Sequence, residues 1–481
     1  MPSGIATDDS TKHFFQDIVQ SNALAQLVSF ENSERIFSDV KTTYRFCLLT
    51  TNRTGDPTTQ VRFAFFLTNT NQITDPGRSF TLTNADIARL NPNTNTCPIF
   101  RSKTDALISA EIHKRLPVIW DETKPDGNIW NIRFQRVFDM TNDSDHFVES
   151  TSGTVVESPD DYFPMWEDWM IHHFDHRYQS HGGEPVTLSQ HADSHYRPTP
   201  RYCVSRDEVF SRTDSARYFF GFRNRTNVAD SRAVIGTLIP RSAVGNTVPV
   251  IHFESAHDAA AFCAMLSSYC LDYFSRQKIG GMNLNYFILK QLPCIDQDRL
   301  ADWTSFVIQH VLELTYTAWD LEAFALDCGY AGPPFRWDEE RRFLLRCELD
   351  AAYFHLYLGP PVEWGTDSPQ LREMFPTPRD VASYIMETFP IVKRKDIART
   401  AGKDARGEVA TEGTYITKDT ILAIYDEMQQ AIDTGEPYQT RLDPPPGPPT
   451  DANGDFIPMD QWDKADWPAH VHQPGAVTQD A

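Results

Sequence analysis

Long apolar runs are missing from this chain of 481 residues. No stretch approaches the roughly 18 consecutive apolar residues of a membrane-spanning helix. The first ten residues, MPSGIATDDS, lack the basic then apolar build of a signal peptide, so a cytoplasmic protein is expected. Paired cysteines are missing too. Cys47, Cys97, Cys203, Cys263, Cys270, Cys294, Cys328 and Cys347 stand singly with no C-x-x-C, which fits buried thiols in a reducing compartment and no zinc site. None of the 23 glycines is followed by another two positions on. That excludes the G-x-G turn that brings a backbone close to a dinucleotide or to S-adenosylmethionine, and without G-K-[ST] there is no Walker loop. The [DN]-P-P-[YF] turn that acts on amino groups is absent as well. Its nearest match, Gly332-Pro333-Pro334-Phe335, has glycine where the acceptor for the amine should sit. There is no G-x-S-x-G elbow and no H-E-x-x-H helix. Positive charge is scarce: 44 Lys and Arg against 66 Asp and Glu give a net charge of -22, which rules out a uniformly basic coat. Any DNA contact must be local.

What is present describes a globular protein. Hydrophobic residues at 40 %, aromatics at 12 % and charged residues at 23 % exclude wholesale disorder, coiled coil and collagen. The length suits about two to four domains. Phe14, Phe15, Ile18, Val19 and Leu27 predict a helix from Thr11 to about Val28, with Ser10 or Thr11 as cap. Arg45 to Thr51 and Val61 to Leu67, separated by Gly55-Asp56-Pro57, read as a hairpin within a larger sheet. Between about 130 and 300 the pattern is mixed, with strands at Tyr218 to Phe222 and Ala233 to Ile239. A helix follows from Ser255 to Lys278, capped by Ser255 with Asp258 and stopped by Gly280-Gly281. Beyond 300 it turns helical: Leu344, Cys347, Ala351, Phe354 and Leu358 share one face, as do Ile421, Tyr425, Met428 and Ile432. From Arg441 to Ala481, eight prolines and a net charge of -5 predict an extended or disordered tail.

Two segments carry candidate chemistry. MIHHFDHRY, Met170 to Tyr178, places His172, His173, Asp175 and His176 together. His172 and His176 on one helical face would suit a metal, whereas in a structured loop Asp175 would orient a histidine and Arg177 would meet a phosphate or carboxylate. Residues 197 to 300 hold 13 basic and 9 acidic residues, net +4, leaving -26 for the rest. The polyanion-facing surface is therefore expected there, at Arg223, Arg225 and Arg232 in GFRNRTNVADSR, with Arg276, Lys278, Asn283, Asn285 and Lys290 downstream. His172, His176 and Arg177 are further candidates for DNA contact. Surface ion pairs and a helix C-terminus account for the same cations equally well.

The phrases RFCLLT, LNPNTNTCPIFRSKTDA, FQRVFDMTNDSDHF, MIHHFDHRY, FFGFRNRTN, SRQKIGGMNLNYFILKQLP, ERRFLLRCELDAAYFHLYLG, ETFPIVKRKD and TKDTILAIYDEM resemble the C-terminal half of large adenine-specific DNA methyltransferases. These are the enzymes of type IIG restriction-modification and of BREX and DISARM phage defence. The resemblance covers most of residues 10 to 446. It implies an α+β chain in four parts: 1–70, the terminal strands of a methyltransferase-like sheet; 71–300, a DNA target-recognition region; 301–440, a helical domain; 441–481, the tail. Near residues 397 to 416 the pattern is expanded, and Ile416 replaces an arginine common in the family. The cofactor loop and N-P-P-Y lie upstream in that family, so this chain is expected to bind double-stranded DNA and to need a partner subunit that holds S-adenosylmethionine and flips the target adenine. No catalytic or metal residue is expected in this chain. The alternatives are a stand-alone DNA-binding specificity or defence protein, or gene remnant, and, more weakly, a metal-dependent nuclease built on His172 to His176.

Overall fold

The computed structural model describes residues 1–52, 60–150, 161–403, 409–451, 454–462 and 467–473. The chain is α+β and divides into two compact units interleaved in sequence. Unit 1 comprises Met1–Ile129, Tyr273–Asp296 and Tyr357–Val381; unit 2 comprises Trp130–Asp272, Gln297–Leu356 and Ala382–Ala481.

Unit 1 is built on a four-stranded sheet of β1 (Leu24–Glu31), β2 (Arg45–Thr51), β3 (Val61–Leu67) and β4 (Phe80–Leu82), in the order β2-β1-β3-β4. The expected hairpin of β2 with β3 does not form, because β1 lies between them, antiparallel to β2 and parallel to β3. The Gly55-Asp56-Pro57 turn lies outside the described residues. The helix expected to reach Val28 stops at Gln20. Asn22 turns at φ 54°, and the following LAQLVSFE then serves two faces of a strand: Leu24 and Leu27 face one cluster, Val28 and Phe30 another. The first cluster is deep and includes Phe15, Phe63, Phe65, Phe80, Ile87 and Phe100. The second is thin, and near it Phe37, Val40, Tyr44 and Leu48 stand 52, 39, 59 and 56 % exposed.

Unit 2 holds two further four-stranded sheets. One has the order β10-β9-β12-β5, from β5 (Arg133–Gln135), β9 (Tyr218–Phe222), β10 (Gly236–Pro240) and β12 (Val250–His252). The other has the order β11-β7-β8-β6, from β6 (Val148–Glu149), β7 (Tyr162–Trp166), β8 (Tyr202–Ser205) and β11 (Ala243–Val244). Phe138, Met165, Trp166, Val204, Phe219 and Ile239 form a common core. The two strands expected around 218 and 236 pair antiparallel, Phe220 opposite Leu238. The expected long helix starts where the cap predicts, with Ser255 Oγ accepting the amides of His257 and Asp258. It then breaks at Ser268 (φ -72°, ψ 149°) into Ala256–Ser267 and Tyr269–Arg276. The Tyr269 amide is taken by the Asp350 carboxylate at 2.7 Å.

The helices Glu339–Leu358 and Ile416–Thr434 form as expected, the second ending at Gly435 with φ 72°. The tail departs from expectation, for its described part is extended but packed. Glu348, fully buried, accepts hydrogen bonds from Tyr438 Oη at 2.9 Å, Thr440 Oγ1 at 2.8 Å and Arg441 N at 2.9 Å, and shares one with His310 Nε2 at 2.7 Å. Farther on, Glu313 accepts the Gly447 amide, and Leu442, Trp462 and Val471 are buried. Proline and aspartate signalled an extended chain; the carboxylates that hold it belong to distant helices. Among the described residues no helix is long and apolar enough to cross a membrane.

Burial opposes ionisation of Glu348, but the His310 contact and the Thr440 and Arg441 donors outweigh it and hold the carboxyl below its usual range. Glu348→Gln is therefore expected to cost about 3–5 kcal/mol, as for removal of one partner from a buried polar pair. The loss should appear in thermal unfolding, with faster tryptic cleavage at Arg441. A depressed carboxyl gives stability above its unfolded pKa, so the difference from wild type should shrink as pH falls below about 4.3.

Candidate functional site

MIHHFDHRY is not helical. His172 and Asp175 exchange backbone hydrogen bonds of 2.7 and 3.1 Å around a two-residue turn, His173-Phe174, in which Phe174 sits at φ 55°. A bulky residue in the left-handed region is strained and persists only where its surroundings fix it. Asp175 does the fixing. Its carboxylate, 6 % exposed, accepts the Arg177 amide at 2.8 Å and faces His191 Nε2 at 3.3 Å. Burial opposes its charge, yet His191 and Arg342 outweigh that and hold it at about 2. Arg342, also buried, donates to the Phe174 carbonyl at 3.1 Å and stacks on Trp337.

The remaining members of the motif are structural. His176 pairs with Asp320 at 2.9 Å, and Arg177 gives its guanidinium to the carbonyls of Asp193, His191 and Thr317 at 2.8 to 3.2 Å. At 1 and 0 % exposure they are interior residues, and these polar groups are spent on protein partners. Asp175 does orient a histidine, but the partner is His191, from the helix Leu188–Ala192. His172 and His176 share no helical face, and no group of three metal-ligating side chains is found among the described residues.

Around this turn unit 2 gathers several arginines, interleaved with the carboxylates of Asp175, Asp272, Asp350 and Asp396. Arg223 hooks its Nε and Nη2 onto the Ile171 carbonyl at 2.9 and 2.5 Å, next to the Tyr178 ring. Arg232 lies 4.1 Å over the Tyr269 ring and pairs with Asp272 at 3.2 Å, whose carboxylate also takes the Ala233 and Val234 amides. Arg225, in the intervening loop, is exposed. Arg346, which sequence reading passed over, faces the same histidines from the helix Glu339–Leu358. Burial first, and then Arg223, Arg346 and Arg232, push His172 down to about 3 and His173 well below its usual value. Both are neutral at physiological pH. His172, His173 and Arg346 line two cavities of about 290 and 390 Å³. Arg232, Tyr269, Asp350, Lys395 and Asp396 also face the first.

The other expected contacts fall in unit 1. Lys278 is an interior residue: its ammonium donates to the Leu90 and Gln291 carbonyls and, at 3.1 Å, to Asn91 Oδ1. Burial pushes its pKa well down, while the three oxygens favour the charged form. The phrases LNPNTNTCPIF, SRQKIGG and FILKQLP thus meet around one buried amine. Lys290 pairs with Glu122 at 2.5 Å over the Trp120 ring. Arg276 and Asn285 are half-buried, and Asn283 is exposed.

No protein-family model matches the chain, and no curated protein matches it. Among solved structures, the type IIG restriction endonuclease BpuSI matches with a TM-score of 0.26 and 10 % sequence identity, over 74 % of this chain and 47 % of that one. This chain therefore spans about half the length of that protein.

Lys278→Met should leave three buried oxygens unpaired and lower stability by about 2–4 kcal/mol in denaturant unfolding. At Asp350, burial pushes the carboxyl up to about 6 against the pull of Arg232 and the Tyr269 amide. A raised carboxyl keeps its proton in the folded state, so its contribution to stability falls as pH rises from about 4 to 6. Asp350→Asn should accordingly gain on the order of 2 kcal/mol at pH 7.5 and nothing near pH 4, read as paired unfolding curves.

Proposed function

We propose that this chain is the DNA-recognition part of a site-specific adenine DNA methyltransferase of restriction-modification or phage defence. Its catalytic half, with S-adenosylmethionine and N-P-P-Y, is supplied by a partner subunit. The observation that carries the reading is the convergence of Arg223, Arg232 and Arg346 on the neutral His172-His173 pair, beside exposed Arg225, in a chain of net charge -22. A local positive focus on an acidic protein suits a polyanion approached at one place. Arg225 is the base-reading or phosphate-holding candidate, because its guanidinium is open to solvent whereas Arg223 is spent on a carbonyl. The resemblance of the ordered phrases supports the adenine-methyltransferase context. The exposed Phe37, Val40, Tyr44 and Leu48 of unit 1 fit a surface covered by a partner.

Arg225→Glu should weaken duplex binding by about 1–3 kcal/mol if this arginine reads a base, and flatten the salt dependence if it holds a phosphate. Fluorescence anisotropy over a salt series separates the two, and unchanged binding would remove the loop from the interface. Affinity capture of the chain from its host should bring down a protein carrying a cofactor loop and N-P-P-Y. The pair, and not the chain alone, should methylate adenine at one sequence. Capture of the chain alone, still binding DNA, would leave a stand-alone specificity protein.

A further inference from the structure

Within MIHHFDHRY, His173 is the member whose side chain the turn leaves unspent. It is 7 % exposed, and neither ring nitrogen has a hydrogen-bond partner among the described residues. An unpaired buried imidazole is destabilising, so its retention calls for an occupant. It lines both cavities, as does Arg346, which makes no hydrogen bond or ion pair with the described residues. Lys395 stands exposed at the first cavity. Arg232 is not free in the same sense, being held by Asp272 and Tyr269. The two carboxylates in the lining already accept backbone amides, Asp350 from Tyr269 at 2.7 Å and Asp396 from Thr417 at 2.8 Å. Phe174, Tyr269 and Phe343 also line the first cavity.

We propose that the cavity binds a free nucleoside monophosphate, its base among the aromatic side chains against His173 and its phosphate on Arg346 and Lys395. A neutral imidazole offers one donor and one acceptor, the pairing that the edge of a nucleobase also presents. An unpaired guanidinium matches phosphate oxygens two at a time. Two unspent cations beside two carboxylates suit one phosphate better than three. At about 290 Å³ the cavity sits at the small end of ligand sites, which run from about 300 to 1,000 Å³. The inference goes beyond DNA recognition and stands whether or not the chain binds DNA.

Isothermal titration of the full chain with each nucleoside monophosphate, with inorganic phosphate and with a short single-stranded oligonucleotide tests it. At least one monophosphate should bind saturably and about tenfold or more tighter than phosphate. Arg346→Gln should weaken that binding by about 10- to 100-fold, the range for loss of a charge-assisted pair, and Lys395→Glu, at an exposed position, should weaken it without touching the core. His173→Phe should abolish binding yet leave the ligand-free unfolding midpoint as high as wild type or higher, which a structural histidine would not do. The proposal is overturned by silence of every monophosphate, by equal affinity in the Arg346 and Lys395 variants, or by a lowered midpoint in His173→Phe. Binding of the oligonucleotide alone would also overturn it, and would return the cavity to the DNA interface.

Discussion

The buried carboxylate of Asp175 is the constraint on which the site depends. An ionised group at 6 % exposure persists only when its charge is met, and here His191 and the Arg177 amide meet it directly. They anchor one end of the His172–Asp175 turn, whose paired backbone hydrogen bonds hold Phe174 at φ 55° with His173 lining the two cavities. They also place Arg177 among carbonyls drawn from residues 191 to 196 and 317, so that one turn ties together segments more than a hundred residues apart in sequence. A second carboxylate, Asp272, plays the same part for the arginine loop by taking the amides of Ala233 and Val234 with the Arg232 guanidinium. Charge in this unit is anchored by acids inside and presented by bases toward the cavities.

On the proposed reading, an acidic protein meets a polyanion at one place. A net charge of -22 repels DNA at long range, and the repulsion is screened beyond about 8–10 Å at ordinary ionic strength. Within that distance exposed Arg225 is the cation open to a phosphate, beside two histidines kept neutral by their own burial and by the neighbouring arginines. Neutrality matters here. A charged His172 or His173 would add to the mutual repulsion of the guanidiniums, whereas a neutral ring stacks, as His172 does on Tyr178 at 4.6 Å, and offers a hydrogen bond in either sense.

Much of the fold was legible in the sequence where the signal was local. The helix around 344 to 358, the Gly435 stop, the Ser255 cap and the β9 and β10 strands followed from periodicity and capping chemistry. Signals of long range were not legible. That β1 would slip between β2 and β3 depends on packing against two clusters at once, and LAQLVSFE reads as readily as a helical stripe. The break at Ser268 depends on Asp350, eighty-one residues away, offering an acceptor to the Tyr269 amide. The site shows the same division. MIHHFDHRY stood out by composition, but which of its polar groups are spent inside was invisible: Arg177 and Lys278 carry the charge of a DNA contact and lie among carbonyls. Arg346 was missed because it sits within an amphipathic helical pattern and reads as a solvated face, and its lack of a partner is a property of the folded chain alone.

On the proposed reading, the His172–Asp175 turn and the Arg223–Arg232 loop, with the neighbouring face of the long helix, form one binding surface of unit 2. Hydrogen–deuterium exchange on the full chain, with and without a duplex carrying its target site, tests this most directly. Exchange should slow together in peptides spanning 170–178, 223–232 and 339–350. Protection confined to unit 1, or absent from all three segments while the duplex is bound, would contradict it.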